Sequence, residues 1–128
     1  MLDDRVARRR AIFDHYVKRL GSLAGIAFMP EPAWGRGNCW LTCLTVDPAV
    51  AGFDRETLRL ALERANIETR PPWKPMHLQP VFAERPAYVN GVSESLFTRG
   101  LCVPSGTGMS ERNRERVVGC VLAVARTG

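Results

Sequence analysis

The sequence predicts an α/β fold: a small domain in which a few-stranded sheet is covered by helices. Three observations carry that expectation. Apolar residues recur at helical spacing near the start, in the middle and at the end of the chain. Between them lie short runs of strand-forming character, CWLTCLTV over 39–46 and LCV over 101–103. The 128 residues suffice for one domain with one modest core, and are too few for a large catalytic domain with an accessory one.

Taken in order, residues 3–20 read as a helix, with Val6, Phe13, Tyr16, Val17 and Leu20 as its apolar stripe and Arg8, Arg9, Arg10, Lys18 and Arg19 largely off it. Gly21 is its expected stop, and residues 22–37, with Pro30, Pro32, Gly35 and Gly37, read as a loop. The strand at 39–46 has two apolar faces: Cys39, Leu41, Cys43 and Thr45 on one, Trp40, Thr42, Leu44 and Val46 on the other. That is the pattern of an interior strand covered on both sides. Asp54 caps a helix to about Ala65, with Phe53 and Leu58 at the two positions of a hydrophobic staple. Ile67 to Arg70 is extended and halted by Pro71 and Pro72; Pro75 and Pro80 keep the next part irregular. Asn90-Gly91 marks a turn, a short helix follows over 92–99, and Gly100 ends it before the last strand. PSGTGM is a loop, and Ser110 caps a final helix whose apolar face is Val117, Val118, Val121 and Leu122.

Charge and cysteine usage narrow the function classes. The net charge is +5, and 16 of the 18 basic residues are arginine, Lys18 and Lys74 being the two lysines. A basic chain can bind nucleic acid through phosphates, yet no helix-turn-helix, zinc-finger or RNA-binding sheet signature accompanies the charge, so no nucleic-acid partner is expected and the arginines read as a solvated helix face. Apolar runs are far shorter than the roughly 20 residues of a membrane helix, and the charged start lacks the apolar core of a secretion signal. A cytoplasmic setting without membrane contact is the expectation. Cys39, Cys43, Cys102 and Cys120 form no CxxC pair and stand far from either histidine, so buried free thiols are expected rather than a zinc centre.

The loop WKPMHLQP, residues 73–80, is the best candidate site. Arg70, Lys74 and His77 could meet phosphate or diphosphate oxygens, and Trp73 could supply an apolar wall or a stacking surface, on a backbone that three prolines restrain, Pro75 and Pro80 within the loop and Pro72 just before it. The competing reading makes Trp73 and Met76 core plugs and gives His77 a backbone hydrogen bond. PSGTG resembles a phosphate loop only loosely: Gly108-Met109-Ser110 replaces the Gly-Lys-Ser/Thr ending, and helix capping already accounts for the Ser110 hydroxyl. Neither the carboxylates nor Ser93 and Ser95 form a recognisable catalytic set.

Several runs, in one order and at compact spacing, resemble the C-terminal part of the DegT/DnrJ-type sugar aminotransferases. They are RR..IFDHYVKRL at the start, GNCWLTCLTVD, FDRETLRLALERANIETRPPWKPMHLQPVF, and SESLFTRGLCVPSGTGMSERNRERVV. The resemblance implies the small C-terminal domain of the type I pyridoxal-phosphate-dependent transferase fold, with residues 1–20 as the helix leading into it and 21–128 as the small domain. It implies a homodimer whose large, cofactor-binding domain lies outside these residues. It implies pyridoxal phosphate as cofactor, an amino donor, typically glutamate, and a nucleotide-linked keto sugar as acceptor, in polysaccharide or amino-sugar biosynthesis. By position, His77 of KPMHLQ matches the family histidine that approaches the nucleotide sugar, with Arg70, Trp73 and Lys74 at neighbouring substrate-side positions.

The sequence departs from the family in lacking a counterpart of the lysine that holds the cofactor: Lys18 lies on the first helix and Lys74 in the wrong segment. No catalytic, cofactor-binding or metal-binding residue is therefore assigned, and the 128-residue chain alone is expected to be inactive and to hold no cofactor covalently. Two other readings stay open, a non-enzymatic partner that completes a separately encoded large domain, and a basic nucleic-acid-binding domain.

Overall fold

A computed structural model describes residues 1–127. The chain runs α1 (Leu2–Leu20), β1 (Ile26–Phe28), β2 (Thr42–Val46), α2 (Pro48–Ala51), α3 (Arg55–Arg64), two 3-10 turns (Met76–Leu78 and Pro80–Phe82), α4 (Val92–Arg99), β3 (Gly100–Val103) and α5 (Glu111–Thr127). The strands form one antiparallel sheet in the order β1-β2-β3, with Ile26 opposite Val46 and Cys43 opposite Cys102. The predicted α/β class and the three long helices are present. No helix among the described residues is long and apolar enough to cross a membrane.

Strand alternation decides where the core sits. Thr42, Leu44 and Val46 point to one face, beside Leu101 and Val103, and all five are buried. On that face α1 contributes Ile12, Tyr16 and Leu20, α3 contributes Leu58 and Leu62, and α5 contributes Val117, Val118 and Val121. The capping read from the sequence is in place: Asp54 Oδ1 accepts from the Thr57 N–H at 2.7 Å, and Ser110 Oγ accepts from the Asn113 N–H at 3.2 Å. Phe53 and Leu58, the staple pair, are both buried.

Several expectations need correction. The second strand begins at Thr42, because Cys39 takes a positive φ of 49° and breaks the extended run; Cys39 and Cys43 therefore do not share a strand face. Ile67–Arg70 joins the sheet only through Arg70, which bridges to Cys102. In α1, Ile12 replaces Val6 and Val17 in the buried stripe; Val6 is half-buried and Val17 exposed. The three-residue β1 lies within residues 22–37, for which the sequence predicts a loop. Gly25 makes β1 possible: its φ is +75°, and a Cβ there would lie 2.6 Å from the Ala51 nitrogen. Of the four thiols only Cys102 is buried; the others are half-buried.

Candidate functional site

The edge of β3 builds the site. The Arg70 N–H donates to the Cys102 carbonyl at 3.2 Å, and the Cys102 N–H donates to the Arg70 carbonyl at 2.7 Å. This two-bond bridge fixes where the chain enters Pro71-Pro72. Gly100 then admits the prolines to the sheet: a Cβ on it would stand 2.5 Å from Pro72 Cγ. With Pro72 seated, Trp73 emerges opposite Trp40, ring centroids 5.9 Å apart and planes tilted by 37°. Trp40 is positioned by its backbone. Its N–H donates to Asn38 Oδ1 at 3.0 Å, and its carbonyl accepts from Ser105 Oγ at 3.0 Å and from Arg9.

Between these elements lies an open groove of about 920 Å³. Its floor includes Ile67, Val103 and Val117, the tryptophans form one wall, and Arg9, Arg70 and Arg116 lie on its rim. The arginines are already engaged. Arg9 donates to the Trp40 and Ser105 carbonyls, Arg116 to the Ala65 carbonyl, and Arg70 pairs with Glu68 at 2.6 Å. The far wall, Pro104 to Gly106, is held by Tyr16, whose buried hydroxyl donates to the Pro104 carbonyl at 2.9 Å. Burial pushes the Tyr16 phenol up to about 12. On the other side of α1, Glu31 accepts two bonds from Arg10, at 2.7 and 2.8 Å, and one from the Gly37 N–H at 2.6 Å. Those bonds, Arg10 first, bring the Glu31 carboxyl down to about 2. An apolar, aromatic-walled groove suits a flat ring.

The four residues singled out from the sequence do not converge. Arg70 and Trp73 line the groove, whereas Lys74 and His77 do not. Lys74 is exposed. His77 stands on the first 3-10 turn and faces α4: its Nε2 is out of solvent, with Glu94 Oε2 at 4.0 Å and no hydrogen-bond partner among the described residues. The loop between them is closed by Gln79 Nε2 donating to the Lys74 carbonyl at 3.2 Å. Trp73 and Met76 are 69% and 62% exposed, so neither is a core plug. Sequence reasoning missed Trp40, Arg9 and Ser105 as site residues. The one local signal was Asn38, two residues before Trp40, which makes the turn that lifts the ring out of the strand. Among the described residues no group of three or more metal-ligating side chains occurs.

The sequence pattern of the DegT/DnrJ/EryC1/StrS aminotransferase family matches residues 1–122. EpsN of Bacillus subtilis, whose name is that of a pyridoxal phosphate-dependent aminotransferase, is 46% identical over 131 residues, covering 99% of this chain and 33% of EpsN. The GDP-perosamine synthase of Escherichia coli O157:H7 is 31% identical over 108 residues, 84% of this chain and 28% of that enzyme. Among solved structures, the aminotransferase TlmJ of Streptoalloteichus hindustanus superposes with a TM-score of 0.85 at 23% identity, over 98% of this chain and 33% of TlmJ. The chain thus spans about a third of the length of the relatives it matches. The groove has no lysine: Lys18 is exposed on α1, and Lys74 lies beyond Trp73. Covalent attachment of pyridoxal phosphate takes a lysine amine, which the residues lining this groove do not include.

Proposed function

The chain belongs to the DegT/DnrJ/EryC1/StrS aminotransferase family, and on that premise we propose that it is the small domain of an enzyme aminating a nucleotide-linked keto sugar. The amino donor is glutamate, and the setting is the biosynthesis of polysaccharide or amino sugars in the cytoplasm. The carrying observation is the family match over almost every residue, set against a length one third that of EpsN and a groove without a lysine. The pyridoxal phosphate and its lysine belong to a large domain outside these residues, in a homodimer, and the isolated chain is inactive. The name of the GDP-perosamine synthase supports a nucleotide-linked sugar as acceptor.

In this reading Arg70, Trp73, Lys74 and His77 are substrate-side residues, and each brings a different capability. Trp73, with Trp40, offers aromatic surface to a ring; Lys74, exposed and without a carboxylate partner among the described residues, offers an ammonium to a phosphate oxygen. Arg70, bound to Glu68 through Nε and Nη2 and largely exposed, keeps its other N–H donors for such an oxygen. His77 carries a buried nitrogen without a partner, which costs about 1–3 kcal/mol until a donor or acceptor reaches it.

The test is a chimera: this chain joined in frame behind the part of EpsN that precedes the matching region. The expected product takes up pyridoxal phosphate, consumes glutamate and aminates a nucleotide-linked keto sugar, and His77→Ala raises its KM for the sugar nucleotide. The 128-residue chain alone shows no turnover and no pyridoxyl label after borohydride reduction. A chimera that loads cofactor and accepts the amino group from glutamate, yet aminates no nucleotide-linked sugar, refutes the assignment. Turnover by the isolated chain refutes the proposed inactivity.

A further inference from the structure

Cys43 and Cys102 stand directly opposite each other on neighbouring antiparallel strands, and their sulfurs are 3.4 Å apart. Antiparallel pairs come in two kinds, and the backbone identifies this one. Both hydrogen-bonding groups of Cys102 are engaged with Arg70, on the side of β3 away from β2. The Cys43 carbonyl likewise turns away, accepting from the Met29 N–H at 3.1 Å. Cys43 and Cys102 are therefore a non-hydrogen-bonded pair, the kind in which Cα atoms approach to about 4.5 Å and side chains lie closest. That spacing falls inside the range of roughly 4.4–6.8 Å that a disulfide spans. Bringing the sulfurs from 3.4 Å to the roughly 2.0 Å of a bond asks each to move less than ~1 Å.

We propose that Cys43 and Cys102 form a redox-active dithiol that closes to a cross-strand disulfide when a low-molecular-weight disulfide oxidises it. The Cys43 thiolate attacks one sulfur of the oxidant R–S–S–R, forming a mixed disulfide and releasing one thiolate, RS⁻. Cys102 then loses its proton to solvent and attacks the Cys43 sulfur, expelling the second RS⁻. Two protein thiols are oxidised, one external disulfide is reduced to two thiols, and the two protons taken from cysteine are returned to the leaving thiolates. The order follows from access and charge. Cys43 is half-buried and within reach of solvent, whereas Cys102 is 8% exposed. The hydrogen bond between the two sulfurs favours a thiolate on Cys43, below the ordinary thiol range, and holds the proton on Cys102. Cys39 and Cys120 are moved the other way by burial, and neither pairs with another sulfur among the described contacts.

The bond would tie β2 to β3 at the residue whose backbone holds Arg70, and so stiffen the floor of the groove. Thiol pairs of this kind in reducing compartments are closed transiently and reopened by thiol exchange. The inference is independent of the aminotransferase reading, because it rests on the sheet register alone.

The experiment treats the purified chain with oxidised glutathione under native conditions, quenches with acid and counts thiols after denaturation. The expected count falls from four to two, and the intact mass is lower by two hydrogens with no glutathione adduct. Trypsin should then link peptide 37–55 to peptide 100–112, and because the first also contains Cys39, the Cys39→Ser variant must keep the link. Cys43→Ser must lose it. Four thiols after treatment, a stable glutathione adduct on Cys43, or a link that survives Cys43→Ser each overturns the proposal. The thiol count on the unaltered chain decides the matter even if a variant fails to fold.

Discussion

Replacing Tyr16 with Phe tests how the groove's far wall is held. The hydroxyl is fully buried and donates to the Pro104 carbonyl at 2.9 Å. Removing it leaves that carbonyl without its partner, at a cost of about 1–3 kcal/mol; because Pro104 is half-buried and regains some water, the lower end, about 1 kcal/mol, is expected. For a domain of this size that lowers Tm by roughly 3–6 °C at neutral pH. The pH dependence supplies a second readout of opposite sign. The folded-state phenol is raised to about 12 from its ordinary value of 10.0. Below that ordinary value both states carry the proton and the wild-type advantage is complete. As pH rises from there towards the folded value, the unfolded chain ionises first and is favoured, and the wild type loses about 2 kcal/mol that the Phe variant keeps. The stability difference between the two proteins should shrink and change sign in the lower half of that window, where the loss overtakes the advantage of about 1 kcal/mol. Urea denaturation of both, followed by far-UV circular dichroism across the alkaline range, measures it. Two stability curves that run parallel throughout would show that the hydroxyl is not sequestered and that the argument fails.

Three further outcomes follow from single contacts. Gly100→Ala puts a methyl group 2.5 Å from Pro72 Cγ and against the Leu96 carbonyl; the expected loss is about 1–3 kcal/mol in denaturant unfolding, with altered fluorescence from Trp73. Thr42→Val removes a fully buried hydroxyl with no partner among the described residues and leaves the shape unchanged; a gain of about 1 kcal/mol is expected, and a loss would reveal a partner for the hydroxyl. Glu31 carries a depressed carboxyl, so its tether is complete above the ordinary value of 4.5 and is lost as pH falls through about 2. Glu31→Gln should therefore speed hydrogen exchange at the Gly37 amide in mildly acidic and neutral buffer, and the difference should vanish near the bottom of that window.

What was legible in the sequence was whatever is written in short-range spacing. The staple Phe53–Leu58, the caps Asp54 and Ser110, the Asn90-Gly91 turn and the buried face Val117, Val118 and Val121 are each decided by residues within one or two turns of each other, and each is in place. β1 was illegible because three residues carry too little periodicity, and its place depends on Gly25 packing against Ala51 across the chain. The second strand was overextended because Cys39 and Trp40 suit a strand by type, while the positive φ at Cys39 is set by the local Asn38 turn. The groove could not be read at all. Arg9, Trp40, Trp73 and Ser105 meet only through the register of β3 and the seat that Gly100 offers Pro72. The loop 73–80 was recognised as a site by its composition, but composition does not say that His77 turns towards α4 while Trp73 turns towards Trp40.

The arginines of the first helix show why charge by itself misleads. In the sequence Arg9 and Arg10 lie off the apolar stripe and read as a solvated face. In the fold, Arg5 donates to Thr107 Oγ1 at 2.8 Å, Arg9 to the Trp40 and Ser105 carbonyls, and Arg10 to Glu31 and the Gly37 carbonyl. With Tyr16 on Pro104, one helix thereby holds both the 31–40 segment and the 104–107 loop, two segments that have little apolar anchorage of their own. Trp34 and Trp40 project outwards at 91% and 57% exposure, so hydrophobic burial cannot be what fixes this stretch. Guanidinium groups suit the task because each presents five donors in a rigid fork and can bind a carboxylate and a carbonyl at once. A lysine would supply a point charge without that geometry, which gives a physical reason for finding arginine rather than lysine at Arg5, Arg9 and Arg10. The excess of positive charge at this end of the chain is thus spent inside the molecule, on loop geometry, and the net charge of +5 is poor evidence for an anionic partner.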